Sequence, residues 1–265
     1  MPPTKLFTAT RLARPISGLI FILIARVACG QYASDITTNS VYALRAEAAY
    51  NATALNYAAA PNIDTNCWQL GRTAFDWCQF ATNDTQRADI AKAGIAACQR
   101  LVSANPKSAV GHYYLAMNDG ELAQALAPSL AAYRLVKDIE REFQVALKLD
   151  DHLDYAGPDR NLGLLYRDAP GWPFSIGNKW KALEHLERAV KIASGYPENQ
   201  LNLAESEVKW RMPDEASATI ARLNAIWPAA TTNFTGQAWD ESWYDWKARR
   251  AALQADYKKV FKRDP

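Results

Sequence analysis

The run Leu203-Ala204-Glu-Ser-Glu-Val-Lys-Trp-Arg-Met-Pro-Asp-Glu-Ala216-Ser-Ala-Thr-Ile220-Ala-Arg-Leu223-Asn-Ala-Ile-Trp-Pro228 decides the fold. Its first half opens with a large apolar residue followed by a small one. Its second half sets Ala216, Ile220 and Leu223 four and three residues apart, which lines one face of a helix, and Pro228 is expected to end the unit. The same signature occurs three times upstream. Leu162-Gly163-x2-Tyr166 precedes Ala182, Leu186 and Ala189; Leu115-Ala116 precedes Ile139, Phe143 and Ala146; Leu70-Gly71 precedes Gly94, Cys98, Leu101 and Pro106.

A helix pair of this kind cannot bury its apolar stripe alone, so copies must stack and the two end units need caps. Sustained alternating Val, Ile or Thr runs are missing, while Ala, Leu, Glu, Lys, Arg and Gln fill long segments at helical spacing. The expected fold is therefore all-α: a helical-hairpin solenoid of about four repeats over 66–230, with capping helices in 31–65 and 231–265. The first cap is the Ala-rich stretch Val41 to Ala59. The second carries Trp239, Trp243, Trp246, Leu253, Tyr257 and Val260 in steps of three and four, with Arg250 in one seam place. That regularity points to burial on the last repeat; the alternative is a row of tryptophans that stacks sugars or nucleobases.

The composition narrows the function. The chain has 265 residues, 49% hydrophobic and 22% charged, with a formal charge of +2, which excludes a broadly basic nucleic-acid binder. The basic tip Lys258, Lys259, Lys262 and Arg263 is explained by a helix C-terminus. Lys5, Arg11, Arg14 and Arg26 flank the apolar run Leu19 to Ala25, the pattern of an export signal over 1–30 and too short to span a bilayer. Ala28 and Gly30 suit a cut before Gln31, giving a periplasmic or secreted chain. In the competing reading Cys29 becomes the lipidated first residue of an envelope lipoprotein, the one route to a membrane. Of the cysteines that follow, Cys67 and Cys78 lie too far apart along one helix to join. Either Cys67 pairs with Cys98 or all three are buried thiols.

The catalytic inventory is thin. His112, His152 and His185 have no ligand partners at metal spacing, and phosphate loops and nucleophile elbows are missing, so no enzyme activity, metal or cofactor is expected. Acid pairs such as Asp150-Asp151 read as solvated helix ends; a hydrolytic pair would need two acids brought together in a cleft. The stronger signal is the face of each first helix opposite its packed side, which lines the concavity of a curved solenoid. It holds Trp68, Arg72 and Phe75, then Tyr113, Met117 and Gly120, then Arg160, Leu164 and Arg167, then Leu201, Glu205 and Val208. Aromatics beside guanidinium groups suit an organic anion or a carboxylate-bearing peptide; alternatively Arg160 pairs with Asp154 or Asp159 and the aromatics are packed away. Between Tyr166 and Lys179, Pro170, Gly171, Pro173 and Gly177 force a rigid loop that carries Trp172 and Phe174. It is either a lip over the groove or, as such loops more often are, a structural piece packed on its hairpin.

The spacing of the copy at Leu203 resembles the tetratricopeptide (TPR) repeat. The runs Leu162 to Pro173, Lys181 to Val190 and Tyr196-Pro-Glu-Asn199 are similar to the TPR protein associated with tripartite ATP-independent periplasmic (TRAP) transporters, a likeness covering about 60–230. That resemblance implies a periplasmic interaction protein, often a lipoprotein and sometimes oligomeric, with a ligand-sized cavity and a solute-binding protein as partner. The residues around Cys29 depart from the lipoprotein pattern, since Arg26 stands where an apolar residue is expected. Two further classes stay open: a general envelope scaffold for peptide segments, and a glycan-processing enzyme.

Overall fold

The structure is a computed structural model that describes residues 36–265, with side chains from Ser40 onward. The export signal and Cys29 lie outside the described residues. Ten α-helices follow in order: α1 (Ile36–Ala59), α2 (Asp64–Cys78), α3 (Asp84–Ala104), α4 (Ala109–Ala125), α5 (Leu130–Leu149), α6 (Leu153–Asp168), α7 (Lys179–Ile192), α8 (Pro197–Lys209), α9 (Pro213–Asn233) and α10 (Asp240–Phe261), with a 3-10 turn at Gln237–Trp239. Among the described residues there is no strand beyond an isolated bridge between Gly171 and Gly177.

The helices pair as hairpins, α2/α3, α4/α5, α6/α7 and α8/α9, preceded by α1 against α2 and followed by α10 against α8. Every large and small signature residue that packs the four hairpins is buried, from Leu70 and Cys98 to Ile220 and Leu223. The small residues are there for contact. A Cβ on Gly71 would fall inside van der Waals reach of the Cys98 sulfur, and one on Gly163 would stand 2.6 Å from Leu186 Cγ. Side-chain caps stop the hairpin turns from fraying: Asn83, Ser108, Ser129 and Asn178 each accept a backbone N–H in the first turn of α3, α4, α5 and α7.

Two details differ from expectation. Pro228 does not end its unit: α9 runs through it to Asn233, because Ala230 and Phe234 continue the packing onto Trp246 and hold the helix across the lost hydrogen bond. In α10 the buried seam runs through Trp246, Arg249, Leu253 and Tyr257, so Arg249 and not Arg250 occupies the inward place. Arg250 lies over the Trp227 ring instead. The tryptophans are core residues: Trp246 is fully buried, Trp239 and Trp243 pack around it, and the Trp246 indole donates to Glu198. Cys67, Cys78 and Cys98 are all free, buried thiols.

Candidate functional site

The first and last helices meet. Arg45 of α1 donates to Asp240 at 3.4 Å, and Tyr42 lies 6.2 Å from the Tyr244 ring. The two ends of the row of hairpins are thereby brought together, and the coupling of Asp76 with Asp154 and of Glu241 with Asp76 and Asp245 sets the inward sides of α2, α6 and α10 around one recess.

The recess is organised by an unusual start to α6. Asp154, Tyr155 and Ala156 wind left-handed, with φ of 50°, 55° and 64°, before the chain turns right-handed at Gly157. Left-handed winding costs a residue with a Cβ about 1–2 kcal/mol, so the segment must be held. The Arg160 guanidinium does this, donating to the Asp154 carbonyl at 3.0 Å, to the Tyr155 carbonyl at 3.4 Å and to the Asp154 carboxylate. Tyr113 donates its hydroxyl to the same carboxylate at 2.7 Å, and Asn199 donates to the Tyr155 carbonyl at 2.9 Å. Burial works against the charge on Arg160, but Asp154 and then Tyr113, Tyr196 and Glu198 outweigh it and raise its pKa. The result aims Tyr155 inward: one face stacks on Tyr196 at 4.5 Å, Trp239 and Phe234 meet it edge-on, and the ring stays partly exposed.

On the α2 side Arg72 and Asp76 face the recess, 3.8 Å apart, with 58% and 49% of their side chains exposed. The protein around it nevertheless pushes the Asp76 carboxyl up to about 6; burial is the main cause, with Arg72 opposing and Asp154 adding. The two observations describe a hollow: water reaches the carboxylate, yet protein encloses it. Glu241 of α10 is likewise exposed to water and pushed up to about 7 by burial and then by Asp76 and Asp245, so carboxylates from α2, α6 and α10 lie within electrostatic reach of one another. Trp68 stacks near Tyr114 at 6.3 Å as the aromatic wall of this side. A second knot closes the far end, where buried Arg249 binds Glu198, Glu205, Asp245 and Asn202. There Asp245 is pushed up to about 7, first by burial, against the pull of Arg249.

The sequence-predicted wall is thus sorted in two. Trp68, Arg72 and Phe75 are at least partly open. Tyr113 and Met117 are buried in the main core with Phe143 and Leu162, because the wall of a tightly curved row is covered by its neighbouring helices. Arg160 is buried and bound to Asp154, and Arg167 is engaged by Asp168 through two nitrogens. Glu205 is half-buried and bonded to Arg249. Met117, Gly120 and Leu164 line a separate apolar hollow between α4, α5 and α6, with Val136, Ile139 and Phe143. Sequence reasoning missed Asp76, Tyr114, Tyr155, Glu241 and Asp245. Asp76 was legible as the residue one turn after Arg72 on the same face; Tyr155 was not, since nothing in the triplet Asp-Tyr-Ala signals left-handed backbone.

The histidines are ties between helices. His112 of α4 bonds Glu142 of α5, and His185 of α7 bonds Asp159 of α6 at 2.7 Å. Asp150, Asp151 and His152 gather three ligating atoms within 4.8 Å at an exposed turn, where Asp150 accepts the His152 N–H.

No family model matches the chain, and no curated protein sequence matches it. Among solved structures it is similar to TTC0263, a thermophilic TPR protein of Thermus thermophilus, with a TM-score of 0.58 and 19% identity over 82% of this chain and 96% of that one. The fold is a TPR-like helical-hairpin solenoid.

Proposed function

We propose that the chain is a non-catalytic scaffold of the bacterial envelope that holds part of a partner, a short peptide segment or a small molecule, in the recess between its inward helices. The observation that carries this reading is the contact of α1 with α10, which turns an open concave face into an enclosed one while Arg72, Asp76, Tyr155 and Glu241 stay within reach of solvent. TPR-type folds offer such a surface for protein contacts.

The charge arrangement bears on the ligand. Arg160, Arg167 and Arg249 already have their guanidinium groups engaged by carboxylates, which leaves Arg72 as the inward cation held loosely enough to take a ligand carboxylate. The organic-anion reading therefore narrows to the Arg72, Trp68 and Tyr114 side. The resemblance to TRAP-associated TPR proteins supports a periplasmic solute-binding protein as the partner. A photo-crosslinking amino acid at Trp68 or Tyr155 in the native host is expected to capture a discrete partner; capture no greater than that from a control site at exposed Asp256 would reject the reading.

The second reading, a glycan-processing enzyme, calls for two acids enclosed a short way apart in a cleft; Asp76 raises the Glu241 carboxyl, but both side chains are open to water, which favours the scaffold. Release of sugar from cell-wall glycan by the purified chain, lost in Asp76→Asn and in Glu241→Gln, would select this reading over the scaffold.

A further inference from the structure

The loop between α6 and α7 is built rigidly and then left bare. Its neck is closed by backbone bonds from Gly177 N–H to the Pro170 carbonyl at 2.9 Å and from Asn178 N–H to the Tyr166 carbonyl at 2.9 Å, and Ile176 anchors it to the main core. Beyond the neck, Phe174 and Ser175 both donate to the Gly171 carbonyl. The apex nevertheless presents Trp172 at 89% exposure with Phe174 beside it, and Trp180, 73% exposed, follows in the first turn of α7. Fully burying such side chains is worth about 1.5–3 kcal/mol each, and here that stabilisation is forgone in a loop whose conformation is otherwise fixed.

Three cations stand around the tip. Lys179 lies over the Trp180 and Trp210 rings, Lys181 lies over Tyr166, and Arg211 follows Trp210 at the adjacent end of α8. Among the described residues none of these three has a carboxylate within ion-pair distance. The carboxylate of Asp168, the acid nearest the loop in sequence, is covered and already engaged by Arg167 and Lys209, Glu140 is engaged by the Tyr166 hydroxyl, and exposed Glu184 sits a further turn along α7. An ammonium beside tryptophan rings, as Lys179 is, is the pairing found at a membrane interface, where aromatic rings enter the headgroup layer and cations meet phosphate.

We propose that this tip docks the protein on an anionic lipid bilayer, with Trp172, Phe174 and Trp180 entering the interface and Lys179, Lys181 and Arg211 facing lipid phosphates. The site is separate from the recess and does not depend on what the recess holds.

The test uses the full chain with vesicles of phosphatidylglycerol and phosphatidylcholine, or of phosphatidylcholine alone, each also prepared with brominated acyl chains. The expected result is quenching of tryptophan emission by brominated anionic vesicles, with most of the quenched signal lost in Trp172→Phe/Trp180→Phe. Replacing Trp172, Phe174 and Trp180 by Ser should weaken that contact at least tenfold, and so should omitting the anionic lipid. Reading the signal at the tip separates it from insertion of the apolar run near the N-terminus. Vesicle binding that leaves the tip tryptophans unquenched overturns the proposal. So does equal quenching by neutral vesicles, and so does protection of the tip by an envelope protein with no effect of lipid.

Discussion

Two turns at the two ends of α6, both within the stretch Asp154 to Gly177, solve opposite problems. The leading turn is strained backbone with no glycine among Asp154, Tyr155 and Ala156, and it is enclosed by donors from α4, α6 and α8. The trailing loop is held at its neck and by backbone bonds within its own turn, and its largest side chains are exposed. Strain persists where surrounding groups over-determine it, and such positions gather at sites that must keep one shape. An apolar apex on a fixed neck persists where something outside the chain is to cover it.

The comparison breaks most readily at Arg160. Arg160→Ala removes the donor to two carbonyls and a carboxylate and is expected to lower the unfolding free energy by about 3–5 kcal/mol, measured by urea denaturation. A loss under about 1 kcal/mol, the size of a single ordinary hydrogen bond, would mean the left-handed turn stands by itself. Arg160→Lys should recover only part of the loss, since an ammonium cannot fork between those acceptors. The neck comes next. A Cβ at Gly177 would run into the carbonyls of Ala169 and Pro170, so Gly177→Ala should cost about 1–3 kcal/mol. It should also free the tip, seen as faster proteolysis within 169–178.

A smaller effect separates the recess from the loop by pH. The folded carboxyls of Asp76, Glu241 and Asp245 stand at about 6, about 7 and about 7, above ordinary values near 4. Because the folded state holds these protons more tightly, their contribution is fully present below the ordinary carboxyl range and is lost as pH rises through 6 to 7. Stability should therefore fall between pH 5 and pH 8, by about 1 kcal/mol once solvent screening of the exposed groups is counted. Glu241→Gln should flatten the slope in a melting series, whereas loop variants should leave it unchanged. The smallest effect is at the apex: Trp172→Ser should alter stability by no more than about 0.5 kcal/mol. A larger loss in calorimetry would mean the tryptophan packs on its own hairpin, and the contrast between the two turns would vanish.

Sequence reading reached the four hairpins and their buried residues because periodic apolar positions and small residues act locally, within a helix and its nearest neighbour. Of the wall it expected by the same rule, Trp68, Arg72 and Phe75 are the residues that stay at least partly open. It expected free guanidinium groups at Arg160 and Arg167, and it left open the pairing of Arg160 with Asp154, which the structure has. The Trp172 loop was legible as rigid from its prolines and glycines, but not the direction in which its aromatics point.

The amino-acid pattern alone determined that the chain is a row of about four helix pairs whose signature positions are buried, since those properties follow from spacing along single helices. Only the tertiary structure decided that α1 reaches α10, that Asp154 to Ala156 wind left-handed, and that Asp76 and Glu241 lie within electrostatic reach of each other. These depend on curvature summed over every helix contact and on donors supplied from dozens of residues away, and no local spacing records either.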